Sequence, residues 1–158
     1  MWARIVRWLF WRCYGVTQRR GPDLVIGEAG SVYLNRWWLI PRNPVFNVYL
    51  HVFQRSDDDR AHHDHPWVSL SLILHGGYIE HRIRAGGVHT HRRFGVGALI
   101  ARHARYTHRI EVPSGEHVTT LFVTGPVLRR WGFHGKDGWV RHDRWDAYVA
   151  ERGLERAP

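Results

Sequence analysis

The chain has 158 residues, of which 44% are apolar and 23% charged, so it fits one globular domain and excludes collagen-like and disordered classes. No apolar run approaches the roughly 20 residues of a membrane span, and Trp8-Leu9-Phe10-Trp11 is too short for a signal-peptide core. Cys13 is the single cysteine, which excludes an internal disulfide framework and a multi-cysteine zinc site and points to a reducing cytoplasm. The formal charge of +9 is carried by arginine, Lys136 being the one lysine. Nucleic acid, an anionic substrate or a membrane surface all fit that balance, as does the codon usage of a GC-rich genome. The arginines are scattered, in pairs such as Arg19-Arg20, Arg92-Arg93 and Arg129-Arg130, rather than gathered in a basic arm.

Residues Trp2 to Tyr14 read as a helix, with Trp2, Ile5, Val6, Leu9, Phe10 and Cys13 on one face. Trp8 and Trp11 fall off that face among Arg4, Arg7 and Arg12. Two placements are open: a helix packed across a β-domain, or an interfacial helix. Gly21-Pro22 breaks the chain. Strands follow at Ser31–Ile40 and Asn47–Phe53, rich in aromatic and β-branched residues. In the second, Tyr49, His51 and Phe53 share one face and Val48, Leu50 and Val52 the other. Val68–Leu74 alternates Val68, Leu70, Leu72 and Leu74 against Ser69, Ser71 and Ile73. Gly76-Gly77 turns the chain into Tyr78–Arg84. Further strands are expected at His89–Phe94, Ala98–Ala101, His108–Val112 and Thr119–Val123, and Arg144–Arg152 reads as a terminal helix. This texture predicts an all-β antiparallel sandwich or barrel with short N- and C-terminal helices. The expected divisions are an N-terminal helix over 1–20, a barrel over 24–131 and an aromatic tail with the terminal helix over 132–158.

The thirteen histidines carry the densest chemical signal. In His62-His63-Asp64-His65-Pro66-Trp67, residues two apart on an extended segment point to one side, so His63 and His65 can both face a barrel interior. A third imidazole from another strand would complete a facial set of nitrogen ligands suited to Fe(II), Zn, Mn, Ni or Cu. Asp57 and Asp64 are candidate acceptors for orienting the imidazoles. His62 is expected to face solvent. His89 and His91 read as a polar strand face, and Trp67, Trp37 and Trp38 as core filling. No phosphate-binding loop, dinucleotide fingerprint or nucleophile elbow occurs, and Cys13 in an aromatic helix is a poor candidate thiolate.

The stretch around His63 resembles the first motif of the cupin superfamily, in which two histidines two apart are followed by a glutamate and a glycine. Counting from His65, the glycine position is Gly76, but the glutamate position is Ser69. The second motif is matched by Gly97 and His108, while His103 replaces its proline, Arg105 its second glycine and Val112 its closing asparagine. The whole chain is similar to small, functionally unassigned cupins of bacterial and phage genomes, through Tyr49-Leu50-His51, His63-Asp64-His65-Pro66-Trp67, Gly77-Tyr78, His108-Arg109 and Trp131-Gly132-Phe133. The resemblance implies a jelly-roll barrel and a metal site of His63, His65 and His108 without a carboxylate. Such a set resembles the thiol dioxygenase branch, which uses Fe(II). His51, Glu80 and Asp57 are candidates for an additional ligand or for a supporting group behind the imidazoles, and His103, five residues before His108 through a turn, need not share its side.

Three functional classes follow. The first is a mononuclear Fe(II) oxygenase acting on a small anionic molecule. Arg60, Arg82 or Arg109 would receive the anion, and Tyr78 or Tyr106 would donate a hydrogen bond. No catalytic residue is assigned. The second is a metal-free sugar-nucleotide isomerase or epimerase, with a cavity histidine as base and a tyrosine as acid, for which His63 with Asp57 is the pair to test. The third is a non-catalytic binding module, a phage accessory protein or a nucleic-acid adaptor. A homo-oligomer is compatible with each.

Overall fold

A computed structural model of the protein describes residues 1–28, 30–57 and 61–153. Helix α1 (Trp2–Arg19) opens the chain. It continues beyond Tyr14, its expected end, because Val16 extends the apolar stripe of Val6, Leu9 and Cys13 onto the same support. Arg20 then turns extended and Gly21-Pro22 prevents continuation.

The strands are β1 (Leu24–Glu28), β2 (Ser31–Trp38), β3 (Asn47–Phe53), β4 (His62–His63), β5 (Ser69–His75), β6 (Gly77–Arg84), β7 (Val88–Gly95), β8 (Leu99–Arg102), β9 (Arg109–Glu111), β10 (Val118–Thr124), β11 (Gly132–Gly135) and β12 (Gly138–Arg141). Helix α2 (Trp145–Glu151) follows them. A six-stranded antiparallel sheet has the order β1-β2-β3-β10-β5-β8. Two three-stranded sheets, β12-β11-β4 and β7-β6-β9, are separate hydrogen-bonded units. A bridge between His63 and His108 connects them.

Period-two alternation on β3 and β5 divides the interior into two cores. Leu50 and Val52 of β3, with Leu72 and Leu74 of β5, face outward and pack with Trp37 under α1. Phe53 and Ile73 face inward and pack with Leu34, Tyr78, Ile100, Ile110, Val112 and Val118. The serines of β5 thus point into the molecule and its leucines point at the helix. Val6 is 1% exposed, so the helix is a wall of the outer core rather than a cap across a barrel end.

Four strands, β1, β4, β11 and β12, lie outside those expected. Leu24-Val25-Ile26 is short, but β1 pairs in a hairpin with β2, placing Ile26 against the inner core. The tail from residue 132 begins with a hairpin, and β11 pairs with β4 through Phe133 opposite His63. The two-residue β4 carries too little local pattern to be read as a strand.

Both glycines of the motif match have a backbone reason. Gly76 has φ +71, and a Cβ there would meet the His117 carbonyl oxygen at 2.2 Å. Gly97 has φ +85, but its added Cβ would meet the Trp2 side chain, at 3.2 Å. Positive φ alone costs about 1–3 kcal/mol for a residue with a Cβ. Gly97→Ala should therefore cost about 1–2 kcal/mol and Gly76→Ala about 3 kcal/mol or more, since the Trp2 ring can shift more readily than the backbone carbonyl that leads into β10. Urea unfolding midpoints check the order, and a reversed order would show that the carbonyl contact does not decide the cost.

Candidate metal centre

Three imidazoles converge. His63 and His108 exchange backbone hydrogen bonds of 2.9 and 3.0 Å, which sets them side by side on facing strands. His65 lies two residues beyond His63 and turns to the same side. Ring centroids are 5.0 Å apart for His63–His65 and His63–His108, and 5.2 Å for His65–His108. One ligand nitrogen from each lies within 4.8 Å of the others. The Nε2 atoms of His65 and His108 are 3.0 Å apart. Neighbouring nitrogen ligands at right angles around an ion, each about 2.1 Å away, would be about 3.0 Å apart, so this donor pair fits a transition metal.

The rings are held from behind. His108 Nδ1 donates to Glu80 Oε1 at 2.8 Å, which leaves Nε2 with its lone pair toward the cluster. Glu80 is 2% exposed. Its Oε1 also accepts Arg102 Nε at 2.8 Å, and its Oε2 accepts the Tyr106 hydroxyl at 2.7 Å. Burial alone would raise the Glu80 carboxyl, but His108, Arg102 and Tyr106 together bring it down to about 2. Burial lowers His108 to about 4, against the raising effect of Glu80, so its ring is neutral at pH 7, as ligation requires. Burial, with His63 and His108 alongside, holds His65 well below the usual imidazole range. Behind His63 stands Asp57, with Oδ2 3.6 Å from Nδ1. The Tyr33 hydroxyl and the Ile110 amide hold that carboxylate in place.

A cavity of about 310 Å³ opens in front of the imidazoles. Its walls are largely apolar, with Phe53, Trp67, Ile110 and Phe133 among them. His51 and Arg36 contribute from neighbouring strands, paired opposite each other in the β2–β3 register. Arg36 Nε donates to His51 Nε2 at 2.8 Å, so His51 is occupied away from the three-imidazole cluster. Burial keeps the His51 ring well below its usual range, and Arg36 adds to the effect. The half-buried Arg36 guanidinium lies 5.0 Å from the Tyr49 ring centre. Among the described residues no carboxylate lies within ion-pair distance of it.

The remaining candidates divide. Tyr78 lines the cavity and its hydroxyl accepts from Arg102 at 2.8 Å. Tyr106 lies behind the cluster, on Glu80, with the Arg82 guanidinium 3.8 Å from its ring centre. Arg82 and Arg109 line a second cleft of about 320 Å³ with His62, His81, His89 and His91, away from the three imidazoles. Arg60 lies outside the described residues. His62 is 7% exposed rather than solvated, because β11 and β6 cover the short β4. Asp64 turns away from the cluster to Arg129, at 2.6 Å. His103 packs on Tyr106 and is not among the converging nitrogens. Cys13 is buried on the sheet-facing side of α1, and burial raises its thiol.

Sequence reasoning missed Arg36. The available signal was an arginine inside an aromatic strand, two residues beyond Leu34 on the inward face. Of the two places expected for Glu80, in the ligand set or behind it, the structure puts the carboxylate behind His108, with both oxygens engaged.

No family model matches the sequence, and no curated protein matches it. Solved structures match its fold. The chain is similar to Fe(II) HppE in complex with substrate, at 14% identity and a TM-score of 0.53, over 66% of this chain and 56% of that one. The present chain thus spans little more than half the length of that protein. It is similar to an RmlC-like cupin protein of Ralstonia eutropha at 10% identity and a TM-score of 0.50, over 85% and 87% of the two chains. A Klebsiella pneumoniae protein with a double-stranded β-helix domain matches at 17% identity and a TM-score of 0.50, over 71% and 91%. Opposed antiparallel sheets, an interior cavity and these neighbours together establish the fold as the double-stranded β-helix, or jelly roll, of the cupins.

Proposed function

We propose that His63, His65 and His108 hold one divalent transition metal, Fe(II) foremost, and that the protein is an oxygenase-type cupin acting on a small anionic molecule. The observation that carries this reading is the convergence of three imidazole nitrogens with the far side of His108 fixed by Glu80. Three neutral ligands leave a bound Fe(II) ion its full 2+ charge and open coordination positions, which is the redox and Lewis-acid chemistry such a group supplies.

The protein's own residues do the rest. Glu80 keeps the His108 tautomer that presents Nε2 forward, and Arg102 offsets the carboxylate charge. The apolar walls exclude water, which strengthens every charge interaction inside. Arg36 receives the anionic group, because its guanidinium lines the cavity with no carboxylate at ion-pair distance among the described residues. The pair to test for the metal-free isomerase reading, His63 with Asp57, stands at 3.6 Å, beyond hydrogen-bond length, and the tight histidine–carboxylate pair, His108 with Glu80, has its imidazole within the converging set.

Anaerobic loading followed by elemental analysis tests the centre. Wild-type protein should retain about one ion per chain and His108→Ala less than about a tenth of that. Full retention by His108→Ala would remove His108 from the ligand set.

Glu80→Gln keeps the side-chain shape but loses the charge, so metal affinity should fall about 10–100-fold. It also strands Arg102, and stability should drop by about 3–5 kcal/mol. Competition with a chelator and urea unfolding read the two effects separately. Unchanged affinity would mean that the His108 orientation does not depend on the carboxylate.

Arg36→Gln should weaken binding of small carboxylates or phosphonates to metal-loaded protein by about 30-fold or more, with metal content unchanged. Because an uncompensated charge is removed, stability should hold or rise. Calorimetry with a panel of such anions checks this, and wild-type affinity in the variant would exclude Arg36 as the receptor.

A further inference from the structure

The inner side of α1 is explained by the sheet it covers, through the buried Val6 and Cys13. The outer side has no such partner. Trp8 and Trp11 are each 60% exposed, one turn apart. Around them stand Arg4, Arg7, Arg12 and Arg19, all exposed. Helix α1 contains no aspartate or glutamate. Among the described residues no carboxylate pairs with these four arginines, and the Arg12 guanidinium instead lies 5.8 Å from the Trp8 ring centre.

Soluble proteins keep large apolar residues in such a patch for a reason. Tryptophan joins an apolar body to an N–H and concentrates where hydrocarbon meets water. Arginines beside it, with no acids, match a negatively charged plane. The helix is about 27 Å long and lies flat against the domain. No described helix is long and apolar enough to cross a membrane, so contact would be along the surface. A second copy is a poor occupant, because a two-fold interface would set four unpaired arginines against the same four. A nucleic-acid strand calls for a groove with stacking platforms, whereas this face is a convex ridge.

We propose that the outer face of α1 docks the protein on an anionic lipid bilayer. Trp8 and Trp11 enter at headgroup level, and Arg4, Arg7, Arg12 and Arg19 engage the lipid anions.

Co-sedimentation of the full chain with vesicles tests the proposal. One set is pure phosphatidylcholine and the other contains about one third phosphatidylserine. The protein should pellet with the anionic vesicles only, and high salt should release it. Trp8→Ser combined with Trp11→Ser should weaken the association about tenfold or more, and so should Arg4→Glu combined with Arg7→Glu. All four positions are exposed, so circular dichroism of the variants should match wild type. The proposal is overturned by absent binding, by equal binding to both vesicle sets, or by variants that pellet like wild type. It is equally overturned if the same variants instead abolish a dimer in analytical ultracentrifugation or binding to single-stranded RNA, while vesicles go unbound.

Discussion

A single carboxylate, Glu80, ties the interior together. It is 2% exposed, and it accepts from His108, Arg102 and Tyr106. A charge in that position survives burial only when its oxygens are fully satisfied and an opposite charge stands beside it. Arg102, 5% exposed on the neighbouring β8, supplies that charge, and Glu80 in turn makes the burial of Arg102 tolerable. The knot joins β8 of the six-stranded sheet to β6 and the segment entering β9, which share the β7-β6-β9 sheet. It also decides which nitrogen of His108 carries the proton. Fold and candidate chemistry meet in that one hydrogen bond.

A carboxylate committed in this way is not available as a ligand. The first cupin motif has a glutamate where this chain has Ser69, and Ser69 is 8% exposed on β5, opposite Arg102 of β8. In the proposed centre Glu80 would act one bond further out, raising the basicity of His108 without adding negative charge to the ligand set itself. A centre of three neutral donors backed by a buried carboxylate differs in charge from one with a carboxylate inside the set, and the difference favours an anionic group at the open positions.

Much of the architecture was legible because alternation on strands is a strong signal. Asn47–Phe53 is the strand β3, and its two expected faces separate into the inner and outer cores. His63 and His65 share a side for the same reason. What escaped has physical causes too. The strands β4 and β11 are two and four residues long, and their pairing is long-range, so no local pattern marks them. That pairing buries His62, which local sequence places in a polar loop. Arg82 and Arg109 were plausible anion receptors by charge alone, but side-chain direction is set by register. Arg109 pairs with His81, and both line the second cleft. Arg36, opposite His51, has the register that reaches the cavity. Strand pairing, which a single sequence does not display, decides between these arginines.

The charges around the cavity lead to one further step. On the positive side, Arg36 has no carboxylate partner among the described residues, whereas Arg102 is matched by Glu80. Asp57 is the acid on the cavity wall, and the Ile110 amide and Tyr33 hydroxyl already hold it. Burial lowers Arg36 from its ordinary value, and still a guanidinium stays charged at neutral pH. Its Nε is spent on His51, which leaves the two terminal nitrogens of the fork free to meet two oxygens of one planar group. His51 thus holds the guanidinium in place, and its neutral ring is what allows it to accept that hydrogen bond. The same strand pair that builds the inner core thus presents a preorganised cation to the cavity, on the opposing sheet from the imidazoles. In the proposed reading, an occupant held by both the metal and Arg36 would span the space between β2 and β4.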